Sequence, residues 1–125
     1  MEFTEQHKKR LLGYYLKNIS QIASREYQER VWIRAEGPEV DDFTETVCYF
    51  FDLGDPILEN YKEYKISEEQ YQILLKFRNF FESFVDLDYR PYLEKDFIDT
   101  PEWHSVMNRA KEVLQAFHYQ EEKEV

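Results

Sequence analysis

Glu36, Glu39, Asp41, Asp42, Glu45, Asp52, Asp55 and Glu59 place eight carboxylates in residues 35–60, a stretch without a single Lys or Arg. Carboxylates at this density suit three kinds of chemistry: ligating a hard divalent cation, acid–base catalysis, or presenting a negative surface to a cationic protein. A calcium loop needs ligands at alternate positions around a central glycine with a closing glutamate, and Asp52-Leu53-Gly54-Asp55 lacks that set. The enzymatic pair is equally unmotivated. With Asp and Glu at about a fifth of all positions, some pair falls within reach by chance. Helix N-termini account for part of the cluster, because the helix dipole favours Asp41, Asp42 and Glu45 near one start and Asp55 as a cap at another. Capping does not require the absence of every Lys and Arg, since a merely solvated helix mixes signs. All eight are therefore candidates for contact with a basic protein partner, with a solvated acidic face as the competing explanation.

The remaining reactive side chains are sparse. His7, His104 and His118 are scattered and form no HExxH or Glu-x-x-His pair, so no metal site is expected. Cys48 lies between Val47 and Tyr49 on an apolar segment and reads as a buried, inert thiol. Three glycines provide no phosphate loop. The expectation is a non-enzyme without cofactor. A net charge of −10, from 16 basic and 26 acidic residues, repels nucleic-acid backbones and attracts cations at long range. A lone cysteine, a charged N-terminus and the lack of any apolar run near ~18 residues lead us to expect a cytoplasmic protein without a membrane span.

The elements that would carry these residues are read from spacing. Leu11, Leu12, Tyr15, Ile19, Ile22, Ala23 and Tyr27 recur at helical intervals and predict one long helix from Thr4 to about Arg30. Val31-Trp32-Ile33-Arg34 is too short to assign. Asp41 or Asp42 should cap a second helix that Gly54 ends, and Asp55-Pro56 should open a short third. Ser67-Glu68-Glu69-Gln70 is a capping box. The helix it starts is apolar over most of its circumference to Val85, which predicts a central position. Residues 86–99 read as a loop, and Thr100-Pro101 starts a last helix to about Phe117. Trp32 and Trp103 are expected in the core. Tyr14, Tyr15, Tyr61, Tyr64, Tyr89 and Tyr92 fit either the core rim or a binding surface. The fold expected is all-α, one domain over residues 1–120, a bundle of four main helices plus a short fifth, with 121–125 a frayed acidic tail.

Three blocks carry a resemblance. Val31-Trp32-Ile33-Arg34 with Glu36-Gly37-Pro38-Glu39, the stretch Ser67 to Phe84, and Phe97-Ile98-Asp99-Thr100-Pro101-Glu102-Trp103 with Ala110-Lys111 resemble small acidic bacterial immunity proteins. That resemblance implies a non-catalytic cytoplasmic antitoxin that blocks a toxin domain, often a nuclease with a basic active site. It transfers no interface residue, so the eight carboxylates rest on the charge pattern alone. A helical scaffold or regulatory domain is the alternative, and a metal-dependent hydrolase comes third.

Overall fold

In a computed structural model that describes residues 4–86 and 94–120, the chain is helical, with no strand among the described residues. The first helix, α1, spans Glu5–Ile22, and the Thr4 hydroxyl accepts from the His7 amide at 3.1 Å. Its stripe of Tyr15, Leu16, Ile19 and Ile22 is buried as the periodicity demands. The helix does not run on to Arg30. Ser24 adopts an extended conformation and its hydroxyl caps a new segment, α2, at Arg25–Tyr27. This segment continues as a π-helix over Gln28–Ile33, so Val31-Trp32-Ile33-Arg34 finishes a helix.

Gln28 explains why the break is tolerated. A helix end leaves carbonyls without intrahelical partners, and the fully buried Gln28 amide donates to the Ile22 and Gln21 oxygens at 2.8 and 3.2 Å. Its own oxygen accepts from the Trp103 indole at 2.9 Å. One side chain thus closes α1, holds the π-helical segment and satisfies a buried tryptophan.

Asp42 caps α3, which spans Phe43–Glu59, by accepting from the Glu45 amide at 2.8 Å. Gly54 does not end this helix, and Asp55-Pro56 opens no separate one. Gly54 is buried where α3 crosses α1, and a Cβ there would lie 2.5 Å from ring carbons of Tyr15. The glycine serves close packing. Proline inside a helix costs about 3 kcal/mol, but Ile57 and Leu58 remain buried beyond it, contributing about 1.5–3 kcal/mol each. That is enough to carry the helix past Pro56.

The capping box is present: the Gln70 amide donates to the Ser67 hydroxyl at 3.1 Å, and the Ser67 amide to the Gln70 side chain at 3.0 Å. It starts α4, Glu68–Asp86. The expected loop holds a short α5, Glu94–Phe97, whose Phe97 is buried; Tyr89 and Tyr92 lie outside the described residues, as does the 121–125 tail. Thr100 caps α6, Pro101–Ala116, with proline in its first turn. Helix α1 packs on α3 and α6, and α4 packs on α6 and α3, so the four long helices close a ring around the core. The Ser67-capped helix is one side of that ring and buries one face, Leu74, Phe77, Phe81 and Phe84; the expectation that it is central does not hold. Trp103, Tyr15, Phe50, Phe77 and Phe81 fill the interior.

Candidate protein-binding face of α1 and α3

Each of the eight carboxylates now has a place, and the set divides. Three are bound tightly into the fold. Asp41 accepts from Thr46 Oγ1, Tyr27 Oη and Trp32 Nε1 at 2.7, 2.8 and 3.3 Å, tying α3 to α2 and the π-helix. Glu39 forms a two-point bridge to Arg30, both distances 2.9 Å. The Arg30 guanidinium and a backbone amide hold its carboxyl down at about 2. Asp55 forms the same fork with Arg78 of α4, at 3.1 and 3.2 Å. Asp42 is the α3 cap, and Glu36 pairs at 3.3 Å with Arg34 on the surface. The counter-charges absent from residues 35–60 are supplied by the π-helical segment, by Arg34 that follows it and by α4.

Glu45, Asp52 and Glu59 remain. All three are exposed, and none of their side chains makes a hydrogen bond or ion pair with a described residue. They recur every seven residues on α3. At 1.5 Å per residue they stand about 10 Å apart, and the row drifts by only about 20° per step. Cys48 and Tyr49 lie between the first two and are exposed as well. The expected burial of Cys48 is therefore corrected: the side chain faces out because Phe50 and Thr46, not Cys48, take the inward positions of that turn.

Beside this row, α1 and α3 enclose a cleft of ≈ 440 Å³. Tyr14, Val40 and Tyr49 line it, and all three are exposed large apolar side chains. The spacing of α1 already set Tyr14 off the buried Tyr15–Ile19 stripe, whereas Tyr49 drew no separate reading. Its signal was its position four residues after Glu45 and one before the core residue Phe50. Burial, with the Tyr14 phenol nearby, pushes the Tyr49 hydroxyl pKa up. Tyr15, read as core or rim, is fully buried.

A larger cleft of ≈ 660 Å³ at the start of α1 mixes Lys8, Lys9 and Lys65 with Glu5 and Glu63. Glu5 bridges to Lys8 and Lys65, so no single sign of charge dominates there. Among the described residues, no three His, Cys, Asp or Glu side chains converge as a metal-ligand set. Nor is any described helix long and apolar enough to cross a membrane. The arrangement can present charge and aromatic surface to another protein. No family model matches the chain, and neither does any curated protein or solved structure.

Proposed function

We propose that this chain is a non-catalytic binding protein of the immunity type, which neutralises a basic toxin domain, such as a nuclease, by covering its active site with the outer face of α3. The observation that carries this reading is the Glu45–Asp52–Glu59 row, three exposed carboxylates at heptad spacing, none in an ion pair with a described residue. Unpaired like charges add nothing to folding, yet they set up a field that draws in a cationic surface and orients it. Tyr14 and Tyr49 beside the row supply the kind of amphipathic anchor that dominates binding energy.

The test is to tag the full chain, capture its partner from the native host, identify it, and measure the partner's activity as this protein is added. A basic partner silenced at one-to-one stoichiometry supports the reading. A partner that stays fully active in the complex, or one with an acidic surface, would overturn it.

A further inference from the structure

The walls of the α1–α3 cleft include Tyr14, Lys17 and Asn18 from α1 and Glu45, Thr46 and Tyr49 from α3. Two features of these walls ask for the same chemical group. Tyr14 and Tyr49 are each 47% exposed. Elsewhere in the molecule rings are covered by guanidinium groups: Arg30 over Tyr27 at 5.9 Å, Arg78 over Phe51 at 5.1 Å and Arg109 over Phe80 at 4.2 Å. Asn18 is 3% exposed. Its amide nitrogen donates to the Thr46 carbonyl at 3.4 Å and ties α1 to α3, while its oxygen is shielded from solvent and from anything that enters the cleft. Glu45 is a carboxylate with no ion pair to a described residue.

Aromatic faces attract cations, and a carboxylate accepts a charged N–H. A guanidinium meets both demands, because its planar fork stacks on a ring and directs five N–H donors outward. An apolar side chain would cover the rings and leave the Glu45 carboxylate unmatched. Of the other charged groups on the walls, Glu39 is held by Arg30 and Asp41 by its three donors. Lys17 is the one cation among the lining residues and opposes an incoming positive group.

We propose that the α1–α3 cleft is an arginine pocket, receiving a guanidinium from the basic partner against Tyr14 and Tyr49, with Glu45 as its acceptor. The pocket rests on the reading of the partner as a basic protein and identifies the side chain that this face anchors.

A free tripeptide tests it without the partner. N-acetyl-Gly-Arg-Gly-amide is titrated into the full chain and followed by NMR at the Tyr14 and Tyr49 rings and the Asn18 side-chain amide. The same is done with citrulline and with norleucine in place of arginine. Saturable shifts at all three sites are expected for the arginine peptide, with citrulline and norleucine bound more weakly. Tyr49→Ala should weaken binding by about two- to fivefold, the range of an exposed cation–ring contact, and Tyr14→Ala should do likewise. Lys17→Met should strengthen it. Both tyrosines are half exposed, so their variants retain the fold, which the amide spectrum checks. Equal binding of the three peptides, tighter binding of norleucine, or shifts confined to Asp52 and Glu59 would overturn the pocket. If a basic partner is captured while the arginine peptide leaves the cleft unmoved, the pocket alone fails. If the peptide binds the cleft but no basic partner exists, the proposed function fails.

Discussion

Gln28 shows how much one polar residue can decide. Its side chain closes the end of α1 and accepts from Trp103, so the helix break at Ser24 depends on it. A Gln28→Leu substitution keeps the volume and strands the Trp103 indole N–H and the Ile22 carbonyl. At about 1–3 kcal/mol for each buried group left without a partner, the expected loss is about 2–6 kcal/mol, read from urea unfolding. An ordinary surface glutamine changes stability by no more than about 0.5 kcal/mol when replaced. A loss that small at Gln28 would mean that its hydrogen bonds do not hold the break. Glu39 belongs to the same scale. Its carboxyl is lowered from 4.5 to about 2 by Arg30, so the folded state binds the proton less readily than the unfolded chain. The bridge therefore contributes stability above about pH 4.5 that is lost as pH falls toward about 2. Solvent exposure keeps the contribution small. In melts between pH 2 and 5, Glu39→Gln should be less stable than the parent at pH 5 and converge with it at pH 2; parallel curves would show that the bridge has no effect on folding.

Helices whose starts are written locally were legible. Ser67 with Gln70 and Thr100 with Pro101 satisfy their own first turns, so nearby residues suffice to locate α4 and α6. The break at Ser24 and the continuity of α3 were not legible, because distant partners decide them. The Trp103 indole donates to the Gln28 side chain across the molecule, and Tyr15 packs on Gly54 from another helix. Glycine followed by Asp-Pro has the local form of a stop and a restart, and the burial of Phe50, Ile57 and Leu58 overrides it. Two substitutions separate these accounts. Gly54→Ala should destabilise by about 1–3 kcal/mol through overpacking against Tyr15. Pro56→Ala should stabilise, because it restores an amide inside a continuous helix. Were Pro56 the first residue of a separate helix, its replacement would bring no such gain. Equilibrium unfolding of both variants reads the outcome.

On the scale of the whole molecule, the site was legible as a segment but not as a surface. Residues 35–60 announce themselves by charge, yet Arg30, Arg34 and Arg78, all from outside the segment, determine which of its carboxylates are engaged. Only a folded chain shows that Glu39, Asp41, Asp42 and Asp55 hold the structure together while Glu45, Asp52 and Glu59 face solvent. Reversing charge at Glu39 or Asp42 would mix a folding defect with a binding defect.

The free row allows a cleaner experiment. With the partner captured from the native host, stopped-flow association is measured for the parent and for the triple variant Glu45→Lys, Asp52→Lys, Glu59→Lys over a range of salt concentrations. Steering by exposed charge is screened beyond a Debye length of about 8 Å at physiological ionic strength. The parent should therefore associate more slowly as salt rises, and the variant should associate about tenfold or more slowly at low salt, with an unchanged helical spectrum. An association rate equal to the parent's at every salt concentration would contradict the proposed binding face and leave the row a solvated surface.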